Sequence, residues 1–292
     1  MRMQSILKSH FYEAKNMENN EKRWMPKPVD ELTFTDDGMF QAVMHNPEIC
    51  SEVIERLLHV KVKTVEYPQI EKVIQPYYTT KSIRLDVYLK DSDKIIDVEC
   101  QSYPQDAIGK RTRFYQSLID ADSLIKGQDY SELKESYILF ICKNDPFRDE
   151  NKNWYGLPCY TFRNICLEKS EVKLNDKTLK VIYNSSAYRE VKDEKIRNFL
   201  CFVNTNNPGK DEFSSKVSEL VEKIKLNEEF RSQYSAMNLH DRDIRKEAKE
   251  EGRNEKAIEA ARNLSANGVS TDIIAKSLNM TPEEVTKIIE ES

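Results

Sequence analysis

From Asp36 onwards the apolar positions fall at helical spacing. Phe40, Val43, Met44, Ile49, Val53, Ile54, Leu57 and Leu58 predict one helix, or two short ones broken near Pro47. HVKVKTVEY (59–67) then alternates as a strand does, and two further alternating runs follow Tyr77-Tyr78. DAIGKRTRFYQSLIDADSLIK returns to helical spacing, with Gly127 where a helix favours a C-terminal glycine. SYILFICK is a short continuous apolar run, the signature of a strand covered on both faces. The predicted order from 36 to 143 is therefore helix, three strands, helix, strand, and CYTFRNICLE and KTLKVIYN are expected to extend the sheet. Beyond about Tyr188 the strand signals stop. KIRNFLCFVN, KVSELVEKIKL and a long charged helix through Ala266 follow, and Gly268 breaks the chain. Two short helices close it, the second opened by Thr281, Pro282 and Glu284 as a capping box.

Three regions result: a polar N-terminal arm (1–35) laid on the next domain, an α/β core (36–187) and a helical C-terminal region (188–292). Charged residues make up 33% of the 292 and glycines number only 7, which favours a helix-rich, soluble chain over an all-β one. No window is apolar enough to span a membrane, and the N-terminus lacks the apolar run of a signal peptide, so a cytoplasmic location is expected. The 6 cysteines include no C-x-x-C pair and the 4 histidines have no ligand spacing, which argues for reduced thiols and against a zinc site. The formal charge of −5 advertises no nucleic-acid binding, although net charge does not exclude a local basic surface.

The chemistry concentrates in SIRLDVYLKDSDKIIDVECQ (82–101). Ile83, Leu85, Val87 and Leu89 share one face of the first strand, opposed by Arg84, Asp86 and Tyr88; Ile96, Val98 and Cys100 share a face of the second, opposed by Asp97, Glu99 and Gln101. A hairpin around Ser92-Asp93 matches the two apolar faces and sets Asp86 directly across from Glu99, with Cβ atoms ~5 Å apart. Tyr88 then faces Asp97, and Arg84 faces Gln101. Two carboxylates this close repel unless a positive charge lies between them, and hard oxygen ligands suit Mg²⁺ or Mn²⁺. The competing reading is a solvated polar face partly neutralised by Arg84 and nearby lysines.

LDV, eight intervening positions and IDVECQ, followed by KRTRFYQS on the next helix and preceded by TDDGMFQAV, resemble the recombination-promoting nuclease/transposase family of the PD-(D/E)xK nuclease superfamily. The resemblance runs from about Asp36 to Phe147 and more loosely beyond. It implies a restriction-endonuclease-like core of helix, three strands, helix and strand, and metal-dependent phosphodiester hydrolysis. By the same resemblance Asp86 is the metal-binding aspartate and Glu99 the acidic residue of the (D/E)xK element. The backbone carbonyl of Cys100 completes the ligands. Asp37 matches the acidic position of the first helix, and Arg111 with Tyr115 matches an R-x-x-x-Y substrate-binding pair. Gln101 stands where the superfamily usually has lysine. A glutamine can orient a water but cannot take its proton, so catalysis would lean on the metal or on a second carboxylate such as Asp97.

Each of these residues also has a plainer reading. Asp37 complements the helix dipole, Tyr115 packs in the core beside a surface Arg111, and Cys100 is a core thiol. Tyr77-Tyr78, Trp154-Tyr155 and Tyr160 pack rather than stack on bases. Residues 241–292 carry nine Lys and Arg against twelve Asp and Glu, which is not a DNA-reading footprint. Ile273, Ile274, Leu278, Val285, Ile288 and Ile289 are expected to pack on a partner helix in a homo-oligomer, or on the chain's own long helix. The expected function is a Mg²⁺-dependent DNA endonuclease of recombination or mobile DNA. The alternative is a non-catalytic interaction protein that keeps the fold and assembles through its C-terminal helices.

Overall fold

The computed structural model of the chain describes residues 27–62, 69–74, 83–91, 93–103 and 107–290; the side chains of 69–71, 83–84 and 238–251 lie outside the description. The expected element order is present. Helices α1 (Asp37–Met44) and α2 (Pro47–Leu58) are separated at Asn46, whose side chain accepts from the backbone N–H of Glu48 and Ile49 while Pro47 takes the first helical position. Strands β1 (Gln69–Ile74), β2 (Ile83–Lys90) and β3 (Lys94–Gln101) follow, then α3 (Ile108–Ser123), β4 (Glu135–Cys142), β5 (Cys159–Phe162) and β6 (Thr178–Asn184).

Two boundaries differ from expectation. The strand expected at 59–67 is not seen at its start, because α2 ends with His59 in a left-handed conformation and residues 61–62 are irregular; 63–68 lie outside the described residues, and β1 begins downstream. Helix α3 stops at Ser123, with Leu124 as its extended C-cap, so Gly127 (φ +96°) serves the following turn instead. Tyr77, Tyr78, Ser92, the Arg84 side chain and most of the N-terminal arm fall outside the described residues.

The six strands form one mixed sheet in the order β1-β2-β3-β4-β6-β5. The first three are antiparallel, β4 and β6 run parallel to β3, and β5 returns antiparallel along the far edge. Both faces of the sheet are covered. Ile108, Leu118 and Ile119 of α3 pack with Tyr88, Ile95, Phe140 and Ile182 on one side. On the other, Tyr183 Oη donates to the Leu57 carbonyl at 2.8 Å and the Cys100 thiol lies 3.8 Å from the Thr35 carbonyl.

Helices α4 (Glu194–Thr205) and α5 (Glu212–Lys225) belong with this α/β body, not with a separate helical region. The reason is aromatic packing. The Phe34 ring lies 5.3–5.8 Å from those of Phe40, Phe199 and Phe202, and Phe199 reaches Phe213, over which the Arg56 guanidinium sits at 4.3 Å while pairing with Asp211 at 3.1 Å. The chain thus divides into units 1–230 and 231–292, not at residue 188.

The second unit contains most of α6 (Glu228–Ala266), with α7 (Thr271–Leu278) and α8 (Pro282–Glu290). Gly268, at φ +79°, turns the chain back. Ile274, Ala275 and Val285 bury themselves with Ala261 of α6, and Leu264, Leu278, Ile288 and Ile289 pack around them. The capping box forms as expected: Thr281 Oγ1 accepts from Glu284 N at 3.2 Å, and Glu284 Oε2 accepts from Thr281 N at 2.8 Å. The apolar positions on which self-association through the C-terminal helices rested are therefore covered by the chain's own long helix, with Ile273 alone of them exposed.

Residues 29–34 are part of the core rather than an arm on its surface, since Leu32 and Phe34 are each 1% exposed. Phe34→Ala is expected to lower the unfolding free energy by ~3–5 kcal/mol. Urea denaturation followed by circular dichroism checks this.

Candidate active site

The β2–β3 hairpin pairs Val87 with Val98, Tyr88 with Asp97, Leu89 with Ile96 and Lys90 with Ile95. One step further this register sets Asp86 opposite Glu99, and there side chains replace the backbone ladder. Glu99 Oε1 accepts from the Asp86 backbone N–H at 3.0 Å, and Asp86 Oδ2 accepts from the Cys100 N–H at 3.2 Å. Each carboxylate thus occupies a backbone donor of the opposite strand. Its second oxygen is turned elsewhere: Asp86 Oδ1 lies 3.5 Å from Gln41 Nε2 of α1, and Glu99 Oε2 lies 3.6 Å from Arg111 Nη2 of α3.

Arg111 ties the remaining polar groups together. Its Nη1 donates to Gln101 Oε1 at 3.0 Å and its Nη2 to Tyr115 Oη at 3.1 Å. The guanidinium lies 5.4 Å from the Phe140 ring centre, and Phe140 stacks on Tyr115. Tyr115 packs against the core as its plainer reading expects, while Arg111 points at the acidic pair instead of standing in a surface pair. Gln101 is fixed at both ends, because its Nε2 donates to the Tyr103 carbonyl at 2.9 Å. One N–H and one lone pair of that amide remain for another partner.

The polar face is not a solvated one. Asp97, Glu99 and Gln101 are all buried beneath α3, and Asp97 is 0% exposed with neither carboxylate oxygen hydrogen-bonded among the described residues. Burial is the largest cause of the upward shift of both acids. The Glu99 carboxyl is pushed up to about 8 by burial and by Asp86, against the pull of its bond to the Asp86 N–H and of Arg111. Asp97 is raised well above the carboxylate range by burial, Glu99 and Asp86, with Arg111 opposing. Asp37, the first residue of α1, contributes negative potential at Glu99 and Cys100, so it acts on the site as well as on its own helix. Cys100 is a buried core thiol, raised mainly by desolvation.

These donors suit a hard divalent cation. Asp86 and Glu99 offer hard oxygen donors at one point, and the Glu99 carboxyl is raised by burial and then by the nearby Asp86, an electrostatic condition that a cation would relieve. No group of three or more His, Cys, Asp and Glu side chains is arranged to share a metal among the described residues. A shell here would need a backbone carbonyl and waters, as Mg²⁺ ordinarily keeps.

Sequence reasoning missed three contributors: Gln41, Phe140 and the Tyr103 carbonyl. Gln41 had a signal, being the one polar residue in an otherwise apolar buried run with Met39, Phe40, Val43 and Met44. The Tyr103 carbonyl had none.

A family model described as PD-(D/E)XK nuclease family transposase matches residues 38–267, which takes in this hairpin, α1 except for Asp37, α3 and the whole of α6 but ends before α7 and α8. No curated protein and no solved structure matches the chain.

The raised acids make stability depend on pH with a definite sign. The folded chain holds the Glu99 proton more tightly than the unfolded chain, so the stabilisation is complete below about 4.5 and is lost as pH rises towards about 8. In metal-free buffer the wild type is expected to lose stability across that window, and Glu99→Gln to lose less. Urea midpoints at acidic and mildly alkaline pH measure the difference; parallel profiles would show that Glu99 carries no raised proton affinity.

Proposed function

The chain belongs to the PD-(D/E)XK nuclease family of transposases, and from that premise we propose that it is a Mg²⁺-dependent DNA endonuclease acting in recombination or mobile DNA. The restriction-endonuclease-like sheet and its flanking helices are common ground with that family. The observation that supports the reading most is the reciprocal hold of Asp86 and Glu99 across β2 and β3, with Arg111 beside them.

Asp86, Glu99 and the Cys100 carbonyl are the proposed metal ligands. A bound Mg²⁺ or Mn²⁺ would lower the pKa of a coordinated water and offset the charge that develops on the phosphoryl oxygens. Hydrolysis adds the water oxygen to phosphorus and breaks the P–O bond to the leaving sugar oxygen; the attacking water gives up a proton to solvent, and the leaving oxygen takes one up from solvent.

The chain's own side chains do the positioning. Arg111 is 27% exposed, stacks on Phe140 and presents its guanidinium beside Glu99, where it can hold a phosphate oxygen. Gln101 cannot act as a base; it fixes Arg111 from one side while Tyr115 fixes it from the other. Asp97, buried behind Glu99, is raised well above the carboxylate range by burial and by Glu99 and Asp86, so it holds a proton that cation binding could displace. Gln41 braces Asp86 from α1.

Cleavage of single-stranded and double-stranded DNA, with and without Mg²⁺ or Mn²⁺, tests the reading. The wild type is expected to cut only with metal, and Asp86→Ala to reduce the rate by about a thousandfold or more. Metal-independent cutting by both proteins would point to a contaminant, and no cutting by the wild type with either metal would favour the non-catalytic alternative. Gln101→Ala is expected to slow turnover about tenfold and to weaken DNA binding through a loosened Arg111. Unchanged kinetics would remove Gln101 from the site's machinery.

A further inference from the structure

The fold leaves one edge of its sheet unusually apolar. Among the described residues strand β5 is the terminal strand, paired on one side only with β6. Phe162 at its end is 44% exposed, and the connection from 163 to 177 that joins it to β6 has no regular secondary structure and holds Ile165, Leu167 and Leu174 at 60%, 86% and 69% exposure. Beside it Trp154 and Tyr155 are 44% and 60% exposed. They belong to the same edge: Trp154 bridges to Arg148, and the neighbouring Phe147 ring lies 4.7 Å from Tyr160 and 5.4 Å from Phe162. These six side chains leave on the order of 600 Å² of apolar surface open. That is the upper limit of what a monomer ordinarily tolerates, and it is comparable to the apolar share of one side of a standard interface of ~800 Å² per partner.

We propose that the β5 edge, with the 163–177 connection and the Trp154-Tyr155 segment, is a self-association surface on which a second copy of this chain docks about a two-fold axis, β5 running antiparallel to its counterpart. An edge strand is self-complementary in this arrangement, since the same unpaired N–H and C=O groups face one another across the axis. The area available meets what a stable dimer needs. Charge argues against nucleic acid as the occupant: 163–177 holds four basic and three acidic residues, Lys169 pairs with Glu171, and Lys177 pairs with Glu135. The C-terminal helices offer less apolar surface for this role, because all their apolar positions but Ile273 pack on one another and on Ala261 and Leu264 of α6. The acidic site is also out of the way. It is separated laterally, because β4 and β6 lie between Glu99 on β3 and the β5 edge, although Tyr160 is level with Glu99 across Phe140 and Ile182. The proposal does not depend on the nuclease reading.

Sedimentation velocity of the full chain over a wide concentration range tests it. The wild type is expected to be a dimer. Leu167→Asp and Leu174→Asp alter exposed side chains and should leave the circular dichroism spectrum and melting temperature unchanged, yet raise the dissociation constant about tenfold or more. Leu226→Asp, similarly exposed but at the C-terminal end of α5, should leave the dimer intact. Hydrogen exchange at Tyr160–Phe162 should slow on association. A monomeric wild type, or a dimer that neither edge variant weakens, overturns the proposal. So does a monomeric wild type whose edge variants lose affinity for DNA, which would make this a nucleic-acid face.

Discussion

Asp86 and Glu99 hold each other's strands apart and together at once. Where the β2–β3 ladder would continue, each carboxylate takes a backbone N–H from the opposite strand, so the hairpin keeps its donors satisfied while presenting two acids at one point. Two like charges in a buried setting are costly, and part of that cost is met by protonation and by Arg111. The rest of the fold is arranged around this pair. Helix α3 must lie over the polar face to bring Arg111 within reach, and Phe140 must sit on the neighbouring strand β4 to support it. Helix α1 must approach closely enough for Gln41 to meet Asp86. Sheet, helix and helix converge because the acids need a counterweight from each.

The pair was legible in sequence because antiparallel register is a strict constraint. A slip of one residue would have turned Leu85, Val87 and Leu89 onto the polar face, so matching the apolar faces was enough to oppose Asp86 and Glu99. The apolar run of β4 and the Thr281–Glu284 capping box were legible for similar reasons, each being a local pattern with one physical solution. Burial of the polar strip was not legible. Alternation tells which residues share a face but not what covers it, and α3 covers this one. The partners of Gln101 were equally hidden, since one is a main-chain carbonyl and the other an arginine whose reach depends on where a helix docks.

Tertiary packing decided the other differences. Helices α4 and α5 read as ordinary amphipathic helices, and nothing in their periodicity says that Phe199 and Phe202 close around Phe34. The apolar positions of α7 and α8 were equally consistent with a partner or with the long helix before them; in the structure most of them pack on one another and on Ala261 and Leu264, with Ile273 left exposed. The exposed edge beyond β5 had no counterpart in the pattern, because irregular segments carry no period from which burial can be read.

Everything proposed for the acidic site depends on Asp86 and Glu99 taking up a divalent cation together. Mn²⁺ titration calorimetry of the full chain, repeated near neutral pH in buffers of different ionisation enthalpy, measures both the binding and the protons it displaces. The reciprocal arrangement predicts saturable binding by the wild type with net proton release, because the buried acids hold protons that a cation would expel, and predicts that Asp86→Ala loses most of that affinity. Binding of equal strength in both proteins, or binding that releases no protons, would contradict it.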